Sequence, residues 1–304
     1  MEHFAEYENC HLCPRDCGVN RYSKRGFCGQ DANLNIDSFL VHHGEEPPIS
    51  FDKGSGTIFF MGCNLRCPYC QNMQISQDSK RSRIYTTKEF IDAVYKLIEQ
   101  GVENINFVTP DHYLPHIIEA VKDIRHNGIN IPTVYNCSGY DTVSNLQKAS
   151  EYIDIFLFDY KYAADEAASY MNVPDYPKVV SKGLDFLMKN VGNLQLDESG
   201  KAVKGTLVRH LVLPTFVDNS IEVINNIYFD YGNRIYLSVM SQYDPAYLLP
   251  NHDRLARKVS REEYQTVVDL TMDLGFENVF IQDFAEGDDA YTPDFDKKDN
   301  FGRF

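Results

Sequence analysis

From Gly54 onward, short apolar runs alternate with longer segments in which apolar residues recur at helical spacing. The runs predict strands at 54–62, 104–110, 132–139, 154–162, 205–214, 234–243 and 278–284, and the segments predict helices at 86–101, 112–128, 142–153, 176–190, 219–229 and 261–275. Such alternation is typical of parallel βαβ units. Six or seven of them favour a barrel, or an open part of one, whose chemistry gathers at the carboxyl ends of its strands.

Two segments lie outside this rhythm and define the predicted domains. Residues 1–50 contain four cysteines and are predicted to form a small metal-binding module, and 51–284 form the barrel. Residues 285–304 are polar and are predicted to be a loosely ordered tail, with a lid as the alternative. The stretch 193–203 predicts an inserted hairpin that turns at "DESG".

Composition and charge exclude several classes of protein. Of 304 residues, 43% are apolar, which suffices for a large catalytic domain with a small appendage. The net charge of −15 argues against a general nucleic-acid binder. No apolar run approaches the roughly 18 residues of a membrane helix, and the acidic start is unlike a secretory signal. We therefore expect a cytoplasmic protein with neither a membrane nor a nucleic acid as partner.

The most informative stretch is "FFMGCNLRCPYCQN", residues 59–72, directly after the first predicted strand. Cys63, Cys67 and Cys70 are spaced C-x3-C-x2-C, and no fourth cysteine follows nearby. Cysteine thiolates hold iron–sulfur clusters. Three thiolates on four irons leave one iron open to a small molecule, as a catalytic zinc site keeps one position free. A zinc knuckle or a chance group of buried cysteines is the structural alternative.

This spacing, with Tyr69 before the third cysteine, resembles the motif of the radical S-adenosylmethionine (radical SAM) enzymes. The resemblance implies a partial (β/α)6 barrel with a [4Fe-4S] cluster at Cys63, Cys67 and Cys70, whose open iron chelates S-adenosylmethionine. It also implies an external one-electron reductant. Reduction then cleaves the cofactor, and the resulting 5′-deoxyadenosyl radical abstracts a hydrogen atom from the substrate.

Over most of residues 54–284 the chain resembles the branch that contains the pyruvate formate-lyase-activating enzyme. There the second strand ends in a Gly-Gly-Glu-Pro turn that receives the cofactor's amino group. Here that place reads "VTPDHY", so the resemblance leaves Thr109, Asp111 or main-chain carbonyls for this contact. The third strand ends in "NCSG", where Asn136 and Ser138 are the expected ribose contacts.

Two further strands carry charged candidates for binding the cofactor. Asp159 and Lys161 in "FDYKY" match the family's Asp-x-Lys, whose lysine meets the methionyl carboxylate, and they share one face of a strand. A neutralised ion pair inside the barrel is the structural alternative. On the fifth strand, alternation lets only one of Arg209 and His210 face inward, and the family pattern favours Arg209.

The front cysteines form a second motif. Cys10, Cys13, Cys17 and Cys28 are spaced C-x2-C-x3-C-x10-C, beside Pro and Gly residues that favour tight turns. Four thiolates form a closed site for either zinc or a second iron–sulfur cluster. Two disulfides would conflict with a cytoplasmic protein. A similar front motif accompanies a branch of uncharacterised iron–sulfur proteins among the radical SAM enzymes.

The predicted activity is that of a radical SAM oxidoreductase. The branch resemblance implies that the substrate is a glycine in a partner protein, which would make the chain an activase of a glycyl-radical enzyme. Radical modification of a small molecule or another peptide is the first alternative. An iron–sulfur electron-transfer protein that does not cleave S-adenosylmethionine is the second.

Overall fold

The computed structural model describes residues 3–77, 83–284 and 293–296. The strands in these residues are β1 Leu34–His42, β2 Ser55–Phe60, β3 Ile84–Tyr85, β4 Ile105–Val108, β5 Thr133–Cys137, β6 Ile155–Asp159, β7 Gln195–Leu196, β8 Ala202–Leu211, β9 Tyr236–Met240 and β10 Asn278–Ile281. Their order in the sheet is β10-β9-β8-β6-β5-β4-β2-β1-β3, and β7 pairs with β8.

Seven of these strands run parallel to one another. Each neighbouring pair from β2 through β4, β5, β6, β8 and β9 to β10 is parallel. Within the described residues no pairing joins β10 to β3, so the sheet stays open. The predicted partial barrel is therefore confirmed.

Helices connect the parallel strands and cover the outside of the sheet. They are α1 Pro47–Ser50, α2 Met73–Ser76, α3 Thr87–Glu99, α4 Leu114–His126, α5 Val143–Ser150, α6 Asp165–Tyr170, α7 Tyr176–Asn190, α8 Val217–Tyr231 and α9 Arg261–Asp273. Capping boxes at Thr86 and Ser260 satisfy the free amide groups at the starts of α3 and α9. All six predicted helices are confirmed.

Three strands outside the parallel set, β1, β3 and β7, also build the sheet, and β3 pairs antiparallel with β1. β1 runs antiparallel to β2, with His42 opposite Ser55, although its residues fall in the segment predicted as the metal module. β7 pairs antiparallel with β8, which confirms the predicted hairpin. The division at residue 50 stays a prediction.

Burial follows the parallel architecture. Every residue of β2 and β5 is buried, as expected for strands covered on both faces. No helix among the described residues combines the length and the apolar character that crossing a bilayer requires.

Candidate functional site

A cavity opens at the carboxyl ends of the parallel strands. It is lined by the residues that the sequence analysis assigned to the cluster or to the cofactor, apart from Asp111: Cys63, Cys67, Tyr69, Cys70, Thr109, Asn136, Ser138, Asp159, Lys161 and Arg209. These residues come from the loop after β2 and from the ends of β4, β5, β6 and β8. Parallel strands bring their carboxyl ends to one edge, which is why residues almost 150 positions apart meet here.

Each of the three loop cysteines accepts a hydrogen bond at sulfur. The Leu65 amide donates to Cys63 Sγ at 3.4 Å, and the Ser76 hydroxyl donates to Cys70 Sγ at 3.3 Å. The Tyr162 hydroxyl donates to Cys67 Sγ at 3.8 Å. Hydrogen bonds of this kind stabilise the thiolates that bind a cluster and tune the reduction potential of that cluster. The three cysteines, with a hydrogen-bond donor at each sulfur, therefore fit an iron–sulfur cluster.

Because these thiols are buried, they ionise poorly on their own. Burial raises the pKa of Cys67 to about 11, although the charge of Lys161 opposes the shift. It also raises the pKa of Cys63, and the neighbouring Cys70 adds to this effect. A bound metal deprotonates a coordinating thiol outright. The site is thus suited to thiolates that a metal cluster stabilises, rather than to a free nucleophile.

An ion-pair network lies beside the cysteines. Lys161 Nζ is 2.6 Å from Asp159 Oδ2, and Arg209 Nε is 2.9 Å from Asp159 Oδ1. Burial opposes the ionisation of Asp159, but the charges of Arg209 and Lys161 outweigh it and lower its pKa. The lysine and the arginine both stay charged because the same carboxylate faces them.

The network continues to a glutamate that sequence reasoning missed. Glu45 Oε2 lies 3.2 Å from Arg209 Nη1, and its other oxygen accepts hydrogen bonds from the amides of Asn106 and Asn136. Residues 43–46, between β1 and α1, leave β1 next to the amino end of β2 and bring Glu45 into the barrel. Burial raises the pKa of Glu45, with Arg209 opposing. No local sequence pattern indicated this glutamate, because its partners lie on β4, β5 and β8.

Glu46, the next residue, is also buried in the barrel. It hydrogen-bonds Ser238 on β9, and burial raises its pKa. Its Oε2 has no hydrogen-bond partner among the described residues. His42 lines the cavity, whereas His43 is exposed. His210 faces away from the cavity, because its ring bonds the Tyr160 carbonyl and the Ser220 hydroxyl.

Two turns at the strand ends have backbones that restrict the residue type. Gly139, which closes "NCSG", has a φ of 75°, and a side chain there would put its first carbon 2.0 Å from the Asp159 carbonyl oxygen. Only glycine fits this contact. Thr109 has a φ of 57°, the left-handed region that favours glycine and strains a β-branched residue. Its amide donates to the Asn136 carbonyl at 2.9 Å, which holds the turn against β5.

A second buried acidic group lies outside the lining of the cavity. Asp111 and Asp141 are both 2% exposed. The Tyr135 hydroxyl donates to Asp141 Oδ1 at 3.0 Å, and the Asn145 side-chain amide donates to the same oxygen at 3.5 Å. Burial, together with the charge of Asp111, raises the pKa of Asp141 to about 8. Asp111, one of the candidates for the cofactor's amino group, therefore lies apart from the other candidates.

The described residues contain no ready-made site for a single metal ion, either at the front cysteines or at the cysteine loop. Among the described residues, no three His, Cys, Asp or Glu side chains are grouped so that they could hold one metal ion. The four front cysteines are free thiols, as are the other four. The metal that Cys10, Cys13, Cys17 and Cys28 hold stays a prediction.

The predicted tail falls mostly outside the described residues, apart from 293–296. Pro293 lines the cavity, and the Phe295 ring packs edge-on against Phe59 at 5.3 Å. The Phe295 amide donates to Gln74 Oε1 at 2.8 Å. This part of the tail therefore packs beside the cysteine loop.

Comparisons with known proteins agree with this geometry. The chain is 31% identical over 271 residues to the uncharacterised protein MJ0674 of Methanocaldococcus jannaschii, covering 87% of this chain and 74% of that protein. It is 25% identical over 185 residues to the pyruvate formate-lyase-activating enzyme of Clostridium pasteurianum, covering 59% and 71%. The crystal structure of methylornithine synthase (PylB) shares the fold, with a TM-score of 0.50 and 14% identity over 79% of this chain and 76% of that one.

The family comparison covers most of the residues that line the cavity. Residues 57–226 match the model of the radical SAM superfamily, and this range includes the cysteine loop and the strands β4, β5, β6 and β8. The chain belongs to the radical SAM superfamily, a family that implies a [4Fe-4S] cluster and S-adenosylmethionine.

Proposed function

We propose that the protein is an enzyme that reductively cleaves S-adenosylmethionine and abstracts a hydrogen atom from a substrate. The observation that carries the proposal is that the cavity holds both Cys63, Cys67 and Cys70 and the Lys161–Asp159 pair. When bound, the cluster would supply the electron that breaks a carbon–sulfur bond of S-adenosylmethionine.

The residues of the cavity would bind and orient the cofactor. Cys63, Cys67 and Cys70 would hold the cluster. Lys161, which Asp159 keeps protonated, would attract the methionyl carboxylate. Arg209 would hold Asp159 in place, since its three side-chain nitrogens donate to Asp159, Glu45 and Asn136.

Uncharged residues would complete the binding site. Ser138 and Asn136 would face the ribose, and Thr109 the amino group. The Tyr69 hydroxyl is 2.6 Å from that of Tyr162, and this buried pair would exclude water beside Cys67.

For the substrate, we propose a glycine in a partner protein. The similarity to the Clostridium pasteurianum activating enzyme supports this assignment. The "VTPDHY" turn, which lacks the branch's glycines and glutamate, is the feature that distinguishes this chain.

Turnover after anaerobic reconstitution tests the chemistry. With dithionite and S-adenosylmethionine the protein should form 5′-deoxyadenosine and methionine, and Cys67→Ala should abolish both products and reduce bound iron. An electron-transfer protein would form neither product. Unchanged turnover by Cys67→Ala would show that the cysteine loop is not the reactive site.

A candidate glycyl-radical enzyme tests the substrate. After incubation with the reconstituted protein it should show the doublet of a glycyl radical in electron paramagnetic resonance. If 5′-deoxyadenosine forms but no such candidate is activated, the substrate is a small molecule or another peptide.

A further inference from the structure

The four front cysteines lie in one compact segment, residues 10–28, here called the four-cysteine segment. Backbone hydrogen bonds of 3.0 Å from Cys10 to Val19 and from Gly18 to Cys10 close its first ten residues into a loop. A side chain at Gly26 would place its first carbon 3.5 Å from the sulfurs of both Cys17 and Cys28. The glycine therefore leaves open the space next to two of the four sulfurs.

This segment is bonded directly to the cysteine loop of the cavity. Arg15 donates from Nε to the Asn64 carbonyl at 2.8 Å and from Nη2 to the Leu65 carbonyl at 3.2 Å. Both carbonyls lie between Cys63 and Cys67. In return, Arg66 Nη1 donates to the Phe27 carbonyl at 3.4 Å.

The four-cysteine segment and the cysteine loop also approach each other through their backbones, next to Cys28 and Cys63. Gly62, directly before Cys63, has a φ of 85°, and a side chain there would put its first carbon 2.6 Å from the Cys28 carbonyl oxygen. The backbones that carry Cys28 and Cys63 are therefore in contact. Electron tunnelling falls steeply with distance, so centres on these two segments would exchange electrons readily.

The outer side of the four-cysteine segment is basic in an acidic protein. Lys24, Arg25 and Arg66 are exposed around Phe27, whose ring is 42% exposed. The whole chain carries a net charge of −15. An apolar centre with charged residues at its rim is typical of a protein interface. The positive charge of this rim selects an acidic partner.

We propose that Cys10, Cys13, Cys17 and Cys28 hold a redox-active iron–sulfur cluster that relays single electrons from an acidic carrier protein to the cluster in the cavity. The carrier is oxidised by one electron, the outer cluster is reduced and then reoxidised, and the inner cluster gains the electron. No bond breaks and no proton moves. The inference rests on the proposed function, because only an inner site that takes up an electron requires a relay.

Metal content is the first test. A variant in which Cys63, Cys67 and Cys70 are all Ala should retain iron, sulfide and a reducible signal in electron paramagnetic resonance. Zinc in place of iron would overturn the proposal. In the unmodified protein, reduction of both clusters should broaden their signals through spin–spin coupling.

The relay itself is tested by following reduction of the inner cluster, using reduced flavodoxin as the acidic carrier. Lys24→Glu with Arg25→Glu should slow reduction by flavodoxin roughly tenfold, because electrostatic steering is lost, and leave reduction by dithionite unchanged. Lys182→Glu, on the exposed face of α7, is the matched control and should react with flavodoxin like the unmodified protein.

Replacing Cys13 and Cys17 by Ser should remove the outer cluster and block reduction by flavodoxin, while dithionite still reduces the inner cluster. Equal rates with flavodoxin in all variants would overturn the relay. That result is distinct from failure of the proposed function, which would appear as no 5′-deoxyadenosine even with dithionite.

Discussion

Glu45 and Arg209 face each other inside the barrel, with Glu45 Oε2 3.2 Å from Arg209 Nη1. The glutamate enters from the loop before β2, and the arginine comes from β8. Their side chains are only 10% and 12% exposed. This pair connects the loop that enters the barrel to the Asp159–Lys161 pair beside the cysteines.

Removing the arginine should destabilise the fold. Arg209→Ala leaves Asp159 and Glu45 buried without their common counter-charge, and we expect the free energy of unfolding to fall by about 3–5 kcal/mol. Urea unfolding of the metal-free protein measures it. The control is Lys88→Ala, which breaks an exposed pair with Asp92 on α3 and should cost about 0–1 kcal/mol. Similar losses in the two variants would contradict a structural role for the buried network.

Neutralising Lys161 should weaken cofactor binding. Lys161→Met keeps the length of the side chain but removes the charge next to Asp159. A hydrogen bond to a charged group contributes about 1.5–3 kcal/mol, so the Kd for S-adenosylmethionine should rise roughly tenfold to a hundredfold. Equilibrium dialysis with reconstituted, oxygen-free protein measures the Kd. Lys182→Met should leave it unchanged, and an unchanged Kd for Lys161→Met would mean that the ion pair is purely structural.

Cys137 should prove dispensable for the cluster. It lines the same cavity as the three loop cysteines, but it ends β5 and lies outside the cysteine loop. Cys137→Ala should therefore keep the iron content and the formation of 5′-deoxyadenosine, whereas Cys67→Ala loses both. Iron analysis and product assay compare the two variants. Loss of iron from Cys137→Ala would mean that the cluster has a fourth protein ligand.

Asp141 should make stability depend on pH. Burial, together with the charge of Asp111, raises its pKa in the folded protein to about 8. An unfolded chain releases this proton near pH 4, so between about pH 4 and 8 the folded state holds more protons. Stability contributed by this carboxyl is thus complete below pH 4 and declines as pH rises toward 8.

Asp141→Asn removes that dependence. Relative to this variant, the unmodified protein should lose about 1.4 kcal/mol of unfolding free energy for each pH unit between 5 and 7, and less as the pH approaches 8. Urea unfolding at several pH values measures the difference, and Asp269→Asn on the exposed side of α9 is the control. A difference that stays constant with pH would show that Asp141 ionises normally in the folded protein.

Much of the fold could be predicted because it depends on local patterns. The seven parallel strands and six main helices follow from apolar periodicity, and Thr86 and Ser260 cap α3 and α9 in the ordinary way. β1 was missed, because it lies among the polar residues and cysteines of the first 50 positions. Its place in the sheet depends on pairing with β2 rather than on a strong pattern of its own.

The candidate site was predictable where a motif is contiguous. Cys63, Cys67 and Cys70 are close in sequence, so their spacing alone indicated that they bind one metal cluster together. Asp159 and Lys161 alternate on one strand, which placed both on one face. Glu45 had no such local signal, because its partners Asn106, Asn136 and Arg209 lie on three other strands.

The sequence by itself determined the alternating architecture, the cysteine loop and the superfamily, since periodicity and motif spacing act over a few residues. Only the tertiary structure decided that Glu45 reaches Arg209 and that Arg15 binds the carbonyls of the cysteine loop. The physical reason is that a polar side chain specifies which bonds it can make but not its partner. The partner is selected when the chain folds into the barrel and brings distant residues together.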